Sequence, residues 1–441
     1  MVRKVTLFSL AVPLFIEMLL FSMLGIVDTF ILSRVSDEVA GGVGACNQII
    51  NFTKIVFNII CIGANVLVSQ YIGAKSRESA QKAMVSSYVL VTAVGLAGSF
   101  VLFFYGKPIL QLMGVTANLL DHAQTYIRIV GSMMFMQAIL NLSTVLMRTH
   151  GYSKETLGIT IAMNLINVVG DIILIFGFNM GAAGAAYATC LGRVVAMLIA
   201  FRFVCKNILE RNAFRHLRNF PVPIIRDLIR IGLPSAFENI CYNLSQIVVS
   251  GMILYNLGET AYITRTYTQQ IIIIFVTLAL SIGQANQILI GRLVGAGSFD
   301  EAYHTCLKNF RKAFLLAIGY GLIFFFFGGT FIRIFTDDPE IIKWSALVLM
   351  VNAFLEPGRT FNLVIINGLK GSGDAVFPVI IGIISMWLVA TLGGWILGIA
   401  LGLGLVGIWA AMALDEWLRG FIMLHRWHSR KWTTKALAVR E

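Results

Sequence analysis

The apolar run Leu157 to Phe178 contains the segment Asn164-Leu-Ile-Asn-Val-Val-Gly-Asp171. The run is long enough to cross a hydrocarbon core about 30 Å thick, which takes roughly 20 helical residues. On a helix, Asn164, Asn167 and Asp171 stand at i, i+3 and i+7 and therefore share one stripe. A carboxylate at the middle of a bilayer costs about 2.5 to 3.5 kcal/mol. The stripe is therefore expected to face a protein interior or a water-filled cavity, not lipid.

Runs of similar length recur throughout the 441 residues, of which 58% are hydrophobic and only 13% are charged. So little charge is typical of a polytopic membrane protein and leaves no room for a soluble domain. The sequence predicts an all-α integral membrane protein with twelve transmembrane helices, near residues 7–33, 43–71, 84–106, 124–148, 157–178, 183–205, 229–256, 262–293, 311–333, 342–368, 376–398 and 404–427.

The net charge of +12 is confined mainly to alternate loops and the C-terminus. This distribution predicts cytoplasmic termini by the positive-inside rule and argues against binding of nucleic acid. The main basic groups are Lys75, Arg77 and Lys82; Arg148 and Lys154; Lys206, Arg211, Arg215 and Arg218; Lys308, Arg311 and Lys312; and Arg426, Arg430, Lys431 and Lys435.

The two halves of the chain resemble each other at a shift of about 220 residues. Pro13 and Glu17 recur as Pro234 and Glu238, and Ile72-Gly73-Ala74 recurs as Val294-Gly295-Ala296. Six spans per half make the repeats parallel, which predicts two pseudo-symmetric six-helix bundles around a central cleft. The expected divisions are an N-terminal lobe at 1–205, a basic cytoplasmic linker at 206–228, a C-terminal lobe at 229–427 and a cytoplasmic tail at 428–441.

The repeat shows which polar residues belong to one half only. Asp28 aligns with Val249, and Asp171 aligns with Thr391. Asn167 and Thr189 likewise align with Trp387 and Met412. The polar site is therefore expected in the N-terminal half, whereas duplicated residues such as Glu17 and Glu238 are expected to serve the shared architecture.

Several motifs together resemble the multidrug and toxic compound extrusion (MATE) transporters, in particular their prokaryotic DinF-like branch. They are Gly25-Ile-Val-Asp28-Thr-Phe, the run at 63–73, the stripe at 164–171, Gly-Ala-Ala-Gly-Ala-Ala-Tyr-Ala-Thr at 181–189, Gly-Leu-Pro at 232–234, Glu356-Pro-Gly-Arg359 and Gly-Ser-Gly-Asp at 371–374. The likeness covers nearly the whole chain.

The resemblance implies a secondary antiporter that exports organic, cationic amphiphilic compounds in exchange for H⁺ or Na⁺ by alternating access. It implies no cofactor, a monomer, and a multi-pass location in the prokaryotic inner membrane. The implied cation or proton site consists of Asp28, Asn141, Asn167, Asp171 and Thr189, with Na⁺ held at Asp28, Asn167, Asp171 and Thr189. Leu24 stands where some family members have a tyrosine, which puts a proton route through that hydroxyl in doubt.

Acidic residues of the other half form a secondary candidate site. The other branch of the family places acidic groups in spans 7 and 10, where this chain has Glu238 and Glu356, the latter beside Arg359. A structural ion pair between Glu356 and Arg359, at i and i+3, is the competing interpretation. The N-terminal residues likewise have a competing interpretation as hydrogen-bonding groups between helices.

Other functions remain as alternatives to the antiporter. A lipid-linked oligosaccharide flippase of the same superfamily is one, although such proteins commonly have more spans and a charged cavity. A membrane-embedded enzyme is another, but no zinc-binding His/Glu spacing and no Gly-x-Ser-x-Gly motif occurs in the sequence. The absence of a phosphate-binding Gly-x-x-x-x-Gly-Lys-[Ser/Thr] loop disfavours an ATP-driven pump.

Overall fold

The computed structural model describes residues 3–210, 213, 215 and 222–437, and these residues are almost entirely helical, with no β-strand among them. Parts of the predicted linker (211, 212, 214 and 216–221) and tail (438–441) lie outside the described residues. The α-helices are α1 (Leu7–Ser33), α2 (Asp37–Gly73), α3 (Arg77–Leu112), α4 (Ala117–Ser132), α5 (Met134–Thr149), α6 (Ser153–Asp171), α7 (Gly181–Asn207), α8 (Val222–Leu257), α9 (Glu259–Gly295), α10 (Phe299–Ile332), α11 (Pro339–Gly371), α12 (Val376–Ser385), α13 (Gly393–Trp395) and α14 (Gly404–His428).

Wider π-helical turns interrupt two of the spans. They extend α6 over Ile172–Gly177, and they flank α13 over Met386–Leu392 and Ile396–Ala400. A short 3₁₀ helix, Lys431–Lys435, follows α14. Because π turns occur in equivalent spans of the two halves, they belong to the repeated architecture.

The predicted spans correspond to these helices. Ten helices of the described residues are long and apolar enough to cross a membrane, and α4 with α5 forms an eleventh candidate that bends by 50°. The twelfth predicted span is α14, which carries Asp415, Glu416 and Arg419 and is therefore less apolar than the others. All three of these charged side chains are buried.

Large apolar side chains cover the outer surfaces of the helices. Phe100, Phe104 and Phe326 are 58%, 60% and 71% exposed. A soluble monomer rarely exposes apolar patches of this extent, whereas lipid tails solvate them without penalty. The exposed residues therefore mark lipid-facing surfaces.

The helices group into two compact units. One contains residues 1–5, 12–68 and 76–233, and the other contains residues 6–11, 69–75 and 234–441. In the first unit α6 packs along α7, and α3 packs along α4 and α5. In the second unit α11 packs along α9, α10 and α14, and stacked Trp427 and Trp432 rings, 4.3 Å apart, close one end of its core.

Two glycines that the repeat aligns allow helix ends to meet at backbone distance in the second unit. A β-carbon on Gly73 would lie 1.9 Å from the Arg292 carbonyl oxygen, and one on Gly295 would lie 1.9 Å from the Gln70 carbonyl oxygen. No side chain fits at either position. This contact is the physical reason for the repeated glycine at the end of the second span.

Gly295→Ala is expected to lower the free energy of unfolding by about 1 to 3 kcal/mol, because the helix ends must separate to admit the methyl group. The matched control is Gly44→Ala, since a β-carbon there meets nothing within 4 Å and alanine favours the helix. Thermal unfolding of the purified protein in detergent measures both changes. Equal melting temperatures for the two variants would contradict the close packing.

Candidate functional site

Four of the five residues predicted for the N-terminal site meet in the first unit. Asp28 lies near the end of α1, Asn167 and Asp171 lie in the last turns of α6, and Thr189 lies in the third turn of α7. Asn167, Asp171 and Thr189 are 2%, 1% and 9% exposed, and Asp28 is half-buried. The one-turn spacing of Asn167 and Asp171 places both side chains toward α1 and α7.

The side-chain amide of Asn167 connects α6 to α1 and to α7. The hydrogen-bond network orients its nitrogen toward Asp28 Oδ1, at 2.9 Å, and its oxygen toward the Thr189 hydroxyl and backbone nitrogen, at 3.2 and 3.3 Å. In this orientation the amide donates to a carboxylate on one side and accepts from a hydroxyl on the other. Asn167 therefore holds α1 and α7 at a fixed distance from α6.

The two carboxyl groups hydrogen-bond to each other. The Asp28 side chain contacts the Asp171 side chain directly, and Asp171 Oδ1 receives no hydrogen bond from the described residues. An ionised carboxyl group only accepts hydrogen bonds, so this contact requires a proton on at least one of the two. A cation between the carboxylates would serve the same purpose, and the pair titrates as a unit.

Asn141 does not take part in the hydrogen bonds that join the other four predicted residues. Its amide oxygen accepts a hydrogen bond from Gln137, one turn earlier on α5, at 2.7 Å, and its side chain makes no hydrogen bond to Asp28, Asn167, Asp171 or Thr189 among the described residues. Asn164, the first residue of the stripe, donates to the Leu20 carbonyl oxygen at 3.2 Å. This hydrogen bond joins α6 to α1.

Sequence reasoning missed two residues beside the site. The Tyr126 side chain of α4 lies beside Thr189, and the Arg193 guanidinium of α7 lies within electrostatic range of Asp28. Arg193 stands four residues after Thr189, so helical spacing could have found it. No sequence signal marked Tyr126, because it lies on the buried, apolar face of α4 beside Ala123, Ile127 and Val130.

The corresponding position of the second unit is neutral. Thr391, which the repeat aligns with Asp171, shares a 2.8 Å hydrogen bond with the Ser245 hydroxyl. Two hydroxyl groups satisfy each other without a charge. Of the two aligned positions, only the one in the first unit, Asp171, therefore carries an acidic residue.

The second unit instead contains a closed network of ion pairs. Arg359 pairs with Glu356 on its own helix and with Glu416 at 3.5 Å, and Arg419 pairs with Asp415 and, at 3.2 Å, with Glu416. Asn362 donates to Glu416 at 2.8 Å. The predicted candidates Glu356 and Arg359 thus lie together, within a network of which the sequence had shown only the Glu356–Arg359 pair.

Glu238, the third candidate of this half, lies in a different contact. It pairs with Lys370 at 2.7 Å, and the aligned Glu17 pairs with Arg148 at 3.6 Å and accepts from Thr156 at 3.2 Å. Both pairs join the first helix of a repeat to the end of its fourth span. Since the contact is duplicated, Glu238 has the geometry of a structural residue.

Glu356→Gln is expected to lower the free energy of unfolding by about 3 to 5 kcal/mol, because it leaves Arg359 buried with only the longer contact to Glu416. Adding Arg359→Met should recover much of the loss. Thermal unfolding in detergent measures both, with Glu340→Gln, at an exposed position of the same helix, as the control. A Glu356→Gln variant as stable as the control would refute a structural role.

Long apolar helices in two repeated units, with a buried carboxyl pair in one of them, define the class of a multi-pass membrane transporter. Residues 13–173 and, separately, residues 234–396 match the MatE family. The chain therefore belongs to the MatE family, which confirms the predicted resemblance. The double match also accords with the internal repeat, and membership of a transporter family excludes the membrane-enzyme alternative.

Known relatives cover the chain from end to end. The chain is 37% identical to the uncharacterized transporter YisQ of Bacillus subtilis, covering 99% of this chain and 96% of that protein. It is 27% identical to the probable multidrug resistance protein NorM of Thermotoga maritima, covering 100% and 95%. The crystal structure of MATE in the bent conformation matches with a TM-score of 0.89 at 19% identity, covering 96% of this chain and 94% of that chain. The two relatives are bacterial proteins named as a transporter and a probable multidrug resistance protein, and the solved structure shares the fold. The narrower DinF-like assignment stays a prediction.

Proposed function

We propose that this protein is an antiporter that exports organic compounds in exchange for H⁺ or Na⁺ by alternating access. The ion binds at Asp28, Asn167, Asp171 and Thr189. The protein works as a monomer in the prokaryotic inner membrane, with both termini in the cytoplasm. The distribution of basic residues along the sequence supports this orientation.

The direct contact between the carboxyl groups of Asp28 and Asp171 carries this proposal. Two buried carboxyl groups cannot both remain ionised at contact distance without a bound positive charge. Removal of a proton therefore drives them apart or recruits a cation. Carboxylate, amide and hydroxyl oxygens are also the hard ligands that suit Na⁺, so the same residues could accept either ion.

Exchange follows from thermodynamic linkage. If the ion and the organic compound favour different conformations or compete for the carboxylates, each lowers the affinity of the other. Asp28 lies on α1, whereas Asn167 and Asp171 lie on α6. Ion binding therefore acts on the contact between two helices, and release of the ion weakens that contact.

Asp28→Asn is expected to abolish ion-driven export and leave the protein folded, because an amide keeps the shape of the carboxyl group but neither releases a proton nor balances the charge of Na⁺. Efflux of a fluorescent organic cation from proteoliposomes measures the change. The matched control is Asp37→Asn, at an exposed position outside the site. Export by Asp28→Asn at the rate of the control would refute the coupling role.

The coupling ion is identified by imposing a Na⁺ gradient and, in separate vesicles, a pH gradient of equal magnitude. At least one gradient should drive movement of the dye against its own concentration gradient, and Asp171→Asn should remove that response because it breaks the carboxyl pair. Transport that responds to neither gradient in the unmodified protein would overturn antiport.

A further inference from the structure

A cavity of about 280 Å³ lies between α3 and α4 in the first unit. Its polar lining consists of Lys107 from α3 and Arg128 from α4, with the Gln124 amide one turn before Arg128. The rest of the wall is apolar and is formed by Leu102, Phe103, Phe104, Pro108 and Ile127. A water molecule in the liquid takes up about 30 Å³, so the cavity has room for a group of several heavy atoms.

Two positive charges from different helices line this cavity without a counter-charge. Neither Lys107 nor Arg128 forms an ion pair or a hydrogen bond with the described residues. The Arg128 guanidinium lies over the Phe103 ring, 4.7 Å from its centre. Stacking on a ring uses the face of the guanidinium and leaves the N–H groups at its edge able to bind an acceptor. The cavity therefore presents two charged hydrogen-bond donors to an anion.

The position of the cavity along α3 corresponds to a membrane–water interface. α3 begins at Arg77, within the basic group that also contains Lys75 and Lys82. At about 1.5 Å per residue, Lys107 lies about 45 Å along the helix from Arg77, which matches the roughly 40 to 45 Å thickness of a bilayer with its headgroups. Tyr105, of a residue type enriched at this level, is exposed two residues before Lys107. The cavity therefore lies at headgroup level, on the side of the membrane opposite to the basic group.

The lining of the cavity is continuous with the lipid-facing surface. Phe104, one of the lining residues, is 60% exposed, and Phe100, one turn earlier, is 58% exposed. Lys107 and Arg128 are also exposed. A charge on such a surface is costly unless it reaches water or a headgroup. An anion with acyl chains can therefore satisfy the charges and cover the adjacent phenylalanines at the same time.

The second unit repeats the packing around the cavity but not its charges. A β-carbon on Gly106 would lie 2.9 Å from Ile127 Cγ2, and one on Gly328 would lie 2.9 Å from Leu349 Cβ. These two contacts align at the same shift along the chain. At that shift the residues that correspond to Lys107, Gln124 and Arg128 are Gly329, Ala346 and Met350. The packing of the two helices therefore does not require the polar residues of the first unit.

We propose that Lys107 and Arg128 bind the phosphate group of an anionic phospholipid. A guanidinium can hold two phosphate oxygens through parallel hydrogen bonds, and the Lys107 ammonium adds a third charged donor. The acyl chains of the lipid lie along Phe100 and Phe104. In the proposed orientation, with cytoplasmic termini, this phosphate belongs to the outer leaflet of the inner membrane.

Native mass spectrometry of the purified protein tests the preference for an anionic lipid. The two probes are phosphatidylglycerol, which carries a net negative charge, and phosphatidylethanolamine, whose ammonium group balances its phosphate. At least one phosphatidylglycerol should bind about tenfold more tightly than any phosphatidylethanolamine, because two basic side chains attract the net charge. Equal affinities for the two lipids would overturn the proposal.

Substitutions assign the preference to its residues. Lys107→Gln and Arg128→Gln should each weaken the binding of one phosphatidylglycerol about tenfold and leave the affinity for phosphatidylethanolamine unchanged. Lys107→Arg should retain the preference, because it keeps the charge. The control is Lys343→Gln, which removes an exposed lysine of α11 that does not line the cavity. Unchanged phosphatidylglycerol binding in both glutamine variants would exclude this cavity as the lipid site.

Inorganic phosphate separates a lipid site from a site for a free anion. An excess of inorganic phosphate should leave the lipid bound, because it has no acyl chains to pack on the phenylalanines of α3. Chloride at equal ionic strength controls for screening of the charges. Displacement by phosphate but not by chloride would overturn the lipid assignment in favour of a free-phosphate site. These measurements involve no ion gradient, so a failure of antiport would leave their outcome unaffected.

Discussion

The contact between Asp28 and Asp171 constrains the structure around it, because two carboxyl groups can touch only with a proton or cation to hold them together. In the apolar interior of a membrane protein, electrostatic interactions are weakly screened, so loss of the positive charge changes the local energy by a large amount. Neutral hydrogen-bonding partners stabilise the contact, but its energy still depends on the positive charge between the carboxyl groups. Asn167 and Thr189 supply hydrogen bonds but no counter-charge.

The fold is duplicated, but its ion chemistry is not. Both halves contain π-helical turns in the equivalent span, a glycine at the end of the second span, and an ion pair between the first and fourth spans. These shared features hold each bundle together. Substitution within one copy of a duplicated bundle could then create an acidic site without altering the packing on which both copies depend.

Much of the fold could be predicted from the sequence, because a membrane imposes long apolar helices and leaves few alternatives. The repeat also identified Asp28, Asn167, Asp171 and Thr189 as residues of one half only, and the structure brings them together. The side-chain contacts of Asn141 and Glu238 could not be predicted in this way. The side-chain partners of both, Gln137 and Lys370, depend on helix rotation and rotamers, which spacing along the chain does not determine.

The Asp28 and Glu356 sites show why residue type alone does not reveal a function. Glu356, Asp415 and Glu416 are three acidic groups held by Arg359 and Arg419, so most of their charge is matched within the protein. Opening this network exposes unpaired buried charges, which is costly and favours a fixed structure. Among the described residues, Asp28 and Asp171 have no basic partner at ion-pair distance. In the proposed antiporter an exchangeable proton or cation completes this pair, so it is the incomplete pairing of the two carboxyl groups, and not the number of charges, that suits them to ion exchange.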